Sequence, residues 1–549
     1  DNCVTNYSKK KREAKERPDE DILKEYVAVL RGKAAFFKNG DFDDVIDGIE
    51  DYVTSLLNDF QKPDSIVDAL GVDRKFPDLN QIINIKEVAD QRRVLIGDEM
   101  GMGKSGSAIL SKEYLGLNTA VVIVPSNAVD LWKGYLSDKV SPAGKQMGYF
   151  KKGQSPRVLE IQSPEDIDRA KSEEYDYVII SHDRITEECA SKLRGVQYEM
   201  VIIDEAHKFK NVTDGKRSSA LLDLLEDCEE EDTYTVLLSG TPIPNKIKDM
   251  AIVLKLLYPE KFGRIENNLL VTSIIKGDLV GLRELLLKRT QMKKLSESVE
   301  MPEKDEFTVY AELSEEEREL YQLIMRDDQL SAMERLSALR LFCLNPQKVF
   351  PDRETRGSKV TQVEMDVADF FETKNKLVLF VNGYVSGVIR GENSVLSQMK
   401  VPEGVAVRII DGDVSREERR RIEEELSDLS SGKILLVVNG SAVDVAVDFS
   451  AAEGVQFYNE PWTKFDKMQQ TSRVYRPGLK QDITVGTTIV RDTIEEGMHY
   501  YIEMKYRAVV KLLEGIPLSE LEKSLLLLDE KVSDTTAIDR DQGLSEEWL

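Results

Sequence analysis

Two series of short, unbroken Val/Ile/Leu runs constrain this chain more than any other feature. The first contains RRVLIGDE, TAVVIVPS, YDYVIISH, EMVIIDEA and TVLLSGTP, and the second KLVLFVNG, VAVRIIDG, KILLVVNG, GVQFYNEP and ITVGTTIV. A strand with one wet face alternates apolar and polar residues. Continuous runs separated by helical patterns instead indicate a parallel sheet covered by helices on both faces. Two such series predict an α/β protein with two parallel-sheet lobes, and at 549 residues the chain is long enough for two or three independent cores.

The rest of the chain is organised around these lobes. Residues 1–75 begin polar and basic and then repeat apolar residues at three and four, which predicts a helical preface. The first lobe is expected at 76–262. Between 263 and 366 the strand signals largely vanish. There LRELLLKRTQMKKL and SEEERELYQLIMRDDQLSAMERLSALRLF read as helices and VEMPEKDEFTVYAEL as an extended crossing, so the segment is expected to be a mostly helical insertion. The second lobe is expected at 367–513, closing with a helix from Thr493 to about Leu513, and 514–549 reads as an acidic tail.

Hydrophobic residues at 41% and charged residues at 32% fit a soluble globular protein. No apolar run matches a bilayer, and the basic residues near the N-terminus have no apolar segment behind them. The expectation is an intracellular protein with no membrane partner and no secretory signal. Cys3, Cys189, Cys228 and Cys343 show no paired spacing, so neither a zinc site nor a disulfide framework is suggested. A net charge of -25 opposes a nucleic-acid partner as a bulk property. Local fields matter more, and basic residues gather at Lys9 to Arg17, Lys288 to Lys294 and Arg416 to Arg421; each cluster reads either as a phosphate contact or as a solvated helix face.

The segment GDEMGMGKS, Gly97 to Ser105, follows a buried strand run and opens a helix. Gly101 and Gly103, with Met102 between them, let backbone N–H groups approach phosphate at the positive end of the helix dipole. Lys104 is placed to face β and γ phosphates, and Ser105 to hold Mg2+. Asp98 stands where the strict phosphate-loop pattern has its first glycine. About a hundred residues on, VIIDEAHK ends another buried run with Asp204 and Glu205. One carboxylate can reach Mg2+ and the other can orient and deprotonate an attacking water. His207 reads as a coupling residue or as a local hydrogen-bonding one. In QQTSRVYRPG, Gln469, Arg473 and Arg476 offer groups suited to charge building on a transferring phosphoryl group, with the two arginines on one face if the segment is helical. A basic surface turn is the alternative.

From about Phe76 to Tyr506 these residues resemble the SWI/SNF-like ATPases of helicase superfamily two, a family containing the DEAH motif. GDEMGMGKS is similar to the family's phosphate loop, VPSNAVDLWKGYL to its first DNA-facing motif, VIIDEAHKFKN to its acidic motif and LLSGTPIPN to its coupling motif. LLLKRT, the crossing at MPEK, LSEEERELY, LRLFCLNP and TIEE, Thr493 to Glu496, are likewise family-like. Two departures stand out. NGSAVDVAVDFSAAEG, Asn439 to Gly454, replaces a Gly-rich turn followed by Gly-Leu-Asn-Leu, and Leu479 replaces the Gln that follows RPG.

The resemblance implies two RecA-like lobes of P-loop NTPase type, with ATP and Mg2+ as ligands. It assigns Lys104, Ser105, Asp204, Glu205, Gln469, Arg473 and Arg476 to the ATP site, and Gln81 to adenine. Ser239, Gly240, Thr241 and His207 fall to coupling. Ser126, Asn127, Ser181, Trp132 and Trp462 fall in or near DNA-facing segments, although both tryptophans read equally as core aromatics. The implied function is a DNA-stimulated ATPase that translocates on double-stranded DNA and remodels the DNA or proteins bound to it. A strand-separating helicase and an ATP-gated DNA-binding scaffold without translocation are the alternatives.

Overall fold

The computed structural model describes residues 79–527 apart from 138–147, 151–154, 194–195, 210–215, 226–232, 241–246, parts of 264–278, 294–300, 384–388, 392, 429, 441–447 and 478. The expected helical preface at 1–75 lies outside the described residues. The chain forms two compact units that divide between Glu300 and Met301.

The first unit is built on β1 (Arg93–Ile96), β2 (Ala120–Val124), β3 (Val158–Glu160), β4 (Tyr177–Ser181), β5 (Met200–Ile203), β6 (Tyr234–Leu238) and β7 (Thr290–Gln291). Their order is β3-β4-β2-β5-β6-β1-β7, and every neighbouring pair is parallel. β2, β4 and β5 are buried along their whole length, as their unbroken apolar sequence requires. The order sets β2, β5, β6 and β1 side by side. The loops leaving their C-terminal ends are therefore neighbours, at the sheet edge where parallel α/β folds bind ligands.

The second unit contains β8 (Lys304–Ala311), β9 (Lys376–Val381), β10 (Val405–Ile410), β11 (Lys433–Asn439), β12 (Gly454–Phe457) and β13 (Ile483–Val490), in the all-parallel order β10-β11-β9-β12-β13-β8. β9 shows why such a strand needs apolar residues at successive positions. Leu377, Leu379 and Val381 enter the core on one face, and Val378 and Phe380 enter the core on the other. Both units are RecA-like parallel-sheet lobes.

The segment 263–366 differs from the expected separate insertion. Leu279–Lys288 is a helix of the first unit, but the following residues turn into β7, which pairs with β1. The extended crossing is β8, an edge strand of the second sheet paired with β13 from Lys304–Ile483 to Ala311–Val490. Its first four residues are exposed, so its sequence carries charge where a central strand carries apolar residues. The helices Glu315–Met325 and Ala332–Leu344 each start at a Ser capping box and share a core with Val490 of β13. The second unit thus begins well upstream of residue 367. At the other end, Glu520–Leu527 of the expected tail is helical with Leu525 and Leu526 buried. Among the described residues no helix is long and apolar enough to cross a membrane.

Candidate active site

β1 leads through Gly97–Gly103 into the helix Lys104–Tyr114. Gly101 and Gly103 have φ of 84° and 75°, the left-handed region that favours glycine. A Cβ on Gly103 would also come within 2.7 Å of Gln81 Nε2. Gln81, on the helix Leu79–Gln91, donates Nε2 to the Gly103 carbonyl at 3.2 Å, so the residue expected to read adenine is held directly on the loop. Asp98 is buried and accepts from Asn84 Nδ2 at 2.8 Å, tying the loop to the same helix. Burial holds its carboxyl above the ordinary carboxylate range, against the pull of Asn84, Lys293 and Lys104.

Lys104 Nζ donates to the carbonyls of Asp98 at 2.7 Å and Glu99 at 3.1 Å. Burial lowers its pKa, opposed by the Glu205, Asp98, Asp204 and Glu99 carboxylates. Ser105 is half-buried in the first helical turn. The Met102 side chain is buried, which leaves only its backbone to meet a ligand.

β5 runs directly into Asp204. Asp204 N donates to Ile123 O at 2.8 Å, Oδ1 accepts from Glu205 N at 3.0 Å and Oδ2 from Trp132 Nε1 at 2.8 Å. Burial and the adjacent Glu205 carboxylate raise the Asp204 pKa, against Trp132 and Lys104. Glu205 has φ of 49°, a left-handed conformation that costs a non-glycine residue energy and is characteristic of functional sites. Its buried Oε2 lies 3.2 Å from His207 Nδ1 and accepts no aligned hydrogen bond among the described residues.

His207 Nδ1 also lies 3.0 Å from Ser239 Oγ, at the end of β6. A Cβ on the next residue, Gly240, would meet Met100 Cγ at 3.4 Å and Lys104 Nζ at 3.7 Å. The loops after β1, β5 and β6 therefore converge, and the acidic motif touches the coupling motif through His207. Thr241 lies outside the described residues.

The segments expected to face DNA are placed unequally. Ser126 is exposed and its Oγ donates to Asp183 Oδ2; Asn127 is half-buried, and Ser181 is buried at the end of β4. Trp132 is a correction. Its side chain is 0% exposed and bonded to Asp204, so it is a core aromatic with a partner rather than a DNA contact. Trp462 is 52% exposed with the Arg340 guanidinium 3.6 Å above its ring centre. His182 was not expected from the sequence. It is buried, and its Nε2 lies 2.9 Å from the Asp204 carbonyl. Burial, with Lys208 nearby, lowers its pKa to about 3, so the ring is neutral and must carry its proton on Nε2 to donate. Its position straight after an unbroken strand run was the available signal.

In the second unit the helix Lys464–Thr471 ends before the arginines, which therefore do not share a helical face. Gln469 lies on the helix. Arg473 is buried in the following turn, whereas Arg476 Nε donates to Ser472 O at 2.9 Å and its Nη1 lies 3.4 Å from Asp448 Oδ2. Two basic clusters also find partners within the chain. Arg289 stacks on Tyr258 and pairs with Glu260, Lys293 binds Asn80 O, and Arg419, Arg420 and Arg421 meet Asp411 O, Glu424 and Glu418.

Residues 21–348 match the SNF2-related domain, and residues 363–478 match the helicase conserved C-terminal domain. The chain belongs to the SNF2-related family. Among its relatives, the SWI/SNF-related matrix-associated actin-dependent regulator of chromatin subfamily A member 1 of Mus musculus is 24% identical over 453 residues, covering 75% of this chain and 41% of the relative. The Chromodomain-helicase-DNA-binding protein 1-like of Mus musculus is 24% identical over 451 residues, with coverages of 77% and 48%. This SNF2-related chain thus spans less than half the length of these relatives. The solved Sulfolobus solfataricus SWI2/SNF2 ATPase core in complex with dsDNA is 21% identical, with a TM-score of 0.36, covering 82% of this chain and 97% of that one.

Proposed function

We propose that the chain is a helicase-type ATP hydrolase, stimulated by double-stranded DNA, that translocates along the duplex and remodels it or proteins bound to it. The convergence of Lys104, after β1, with Asp204 and Glu205, after β5, carries the ATPase reading, with Glu205 Oε2 buried and facing only His207 at 3.2 Å among the described residues. Family membership and the chromatin and DNA-binding relatives support the nucleic-acid part.

The residues fit ATP and Mg2+. The glycines leave room for a phosphate against the loop N–H groups. Lys104, held by two neutral carbonyls in this structure, would exchange them for phosphate oxygens. Ser105 and Asp204 would hold Mg2+, which when bound neutralises charge on the phosphates. Glu205 orients water and takes its proton as the water oxygen bonds to the γ phosphorus and the bond to the bridging oxygen breaks. His207, between Glu205 and Ser239, relates the state of that carboxylate to the coupling motif. Arg473 and Arg476 are assigned to the phosphoryl charge, Gln469 to the same site, and Ser126, Asn127, Ser181 and Trp462 to DNA.

ATP turnover is measured without nucleic acid and with single-stranded DNA, duplex, forked DNA and RNA, beside triplex-displacement and strand-displacement assays. Stimulation by plain duplex and triplex displacement without strand separation are expected. Turnover indifferent to every nucleic acid in a folded protein refutes the reading. Strand displacement would replace it with an unwinding helicase, and duplex binding without triplex displacement with an ATP-gated scaffold.

A further inference from the structure

Asp204 is held from two directions by residues outside the phosphate loop and the acidic motif. Trp132 lies on the helix Val129–Tyr135 that follows β2, and its fully buried indole donates to Oδ2 at 2.8 Å. His182 follows β4, is buried and meets the Asp204 carbonyl at 2.9 Å. Because β2 lies between β4 and β5, the segments leaving β2 and β4 reach across the sheet edge to the end of β5. Together with Ile123 O, which accepts from Asp204 N, these contacts fix the backbone and one side-chain oxygen. An unbonded carboxylate rotates freely about its last two torsions, whereas a metal ligand must stay in one orientation, and outer contacts of this kind supply that restraint.

We propose that Trp132 and His182 are positioning residues that hold Asp204 in the orientation needed to bind Mg2+ with ATP. The proposal rests on the ATPase reading above. Both would act through Asp204. Trp132 holds Oδ2 while the Glu205 N–H holds Oδ1, which leaves a lone pair on each oxygen for the ion, and His182 fixes the main chain that carries the carboxylate. A tryptophan that served only to fill core volume would be replaceable by phenylalanine without consequence for the metal.

The test uses the full chain and a non-hydrolysable fluorescent ATP analogue, with binding measured in Mg2+ and again in EDTA. Trp132→Phe keeps an aromatic ring and removes the N–H. It should weaken Mg2+-dependent binding by about tenfold, the usual loss when an outer partner of a metal ligand is removed. Binding in EDTA should stay within about twofold, since that state makes no use of the Asp204–Mg2+ contact. In an Asp204→Asn background the same substitution should add nothing further. His182→Gln, which can still offer an N–H to the Asp204 carbonyl, should bind like the wild type, and His182→Leu should lose Mg2+-dependent binding. This second pair decides between the two outcomes if Trp132→Phe does not fold.

Unchanged Mg2+-dependent binding in folded Trp132→Phe overturns the positioning role. So does an equal loss with and without Asp204, or a His182→Leu chain that matches His182→Gln. A wild-type chain that binds the analogue identically in Mg2+ and EDTA overturns the ATPase reading itself, and the proposal with it.

Discussion

Lys359→Met should loosen the second unit far more than a surface substitution would. The Lys359 side chain is 1% exposed and its Nζ donates to both Glu495 oxygens at 2.6 Å. Glu495 Oε2 also accepts from Val490 N at 3.1 Å, at the end of β13. Removing the ammonium leaves a carboxylate 10% exposed with one N–H donor. Breaking a buried pair from one side costs roughly 3–5 kcal/mol, and the remaining bond places this case near ~3 kcal/mol. That corresponds to a rise of about a hundredfold in the opening equilibrium. Hydrogen exchange of peptides from β13 and the helix Ile494–Glu514, measured in the full chain, should show it as lost protection. Lys359→Met/Glu495→Gln removes the charge from both sides and keeps an acceptor for Val490, so it should return to within about 1 kcal/mol of wild type. Protection in Lys359→Met that falls by less than about threefold, or a double variant as damaged as the two singles added, refutes the argument.

Four further outcomes follow from named contacts. Glu205→Gln should abolish turnover and retain ATP binding, whereas Lys104→Ala should lose both, as read by hydrolysis and nucleotide titration; hydrolysis surviving in both removes the site assignment. Gly440→Ala should destabilise the second unit by roughly 1–3 kcal/mol, because its Cβ would fall 1.8 Å from Asn382 Oδ1 and 2.3 Å from Gln470 Nε2, splitting a 2.8 Å buried hydrogen bond; a denaturation midpoint equal to wild type contradicts this. Glu423 is pushed up to about 7 by burial and the nearby Asp448 carboxylate, against Arg476 and Arg419. The fold therefore keeps a proton that the unfolded chain releases near pH ~4.3, so stability should fall as pH rises from there through about 7, and Glu423→Gln should flatten that dependence in melts between pH 5 and 8. Asp448→Asn should change stability by less than about 1 kcal/mol, since its side chain is 50% exposed, but should raise the turnover number by removing one charged contact that holds Arg476; unchanged or lower turnover shows that this contact does not limit Arg476.

The fold was legible wherever burial on both faces forced unbroken apolar runs, and it failed where that pressure was absent. β7 has two residues, and β8 is an edge strand whose exposed half carries Lys304, Asp305 and Glu306. The site followed the same division. Glycine spacing anticipated the left-handed backbone at Gly101 and Gly103 ahead of the helix Lys104–Tyr114, because local conformation dictates those residues. Trp132 stayed divided between a DNA contact and a core aromatic because its partner Asp204 is 72 residues away and is brought near by the pairing of β2 with β5. The charge clusters left two readings open for a related reason: composition records Arg289 and Arg419–Arg421 but not the aromatic face, carbonyls and carboxylates that receive them, and the exposed pairs of Arg420 and Arg421 fit a solvated helix face.

The described ends of the altered segment Asn439–Gly454, at Gly440 and at Asp448–Phe449, contact the arginine motif and the helix that precedes it. Its Gly440 packs against Asn382 and Gln470, where any side chain would displace a buried amide network joining β9, β12 and the helix before the arginines. Asp448 faces Arg476, and Phe449 is fully buried while its N–H donates to the Arg473 carbonyl at 2.9 Å. TIEE has a comparable logic. Thr493 caps the helix Ile494–Glu514, Glu495 neutralises Lys359 and Glu496 accepts from Asp492 N, so this family-like string secures the lobe rather than the chemistry. Within this segment Gly440 and Phe449 fill space beside the arginine motif, whereas Asp448 bears on how firmly Arg476 is held.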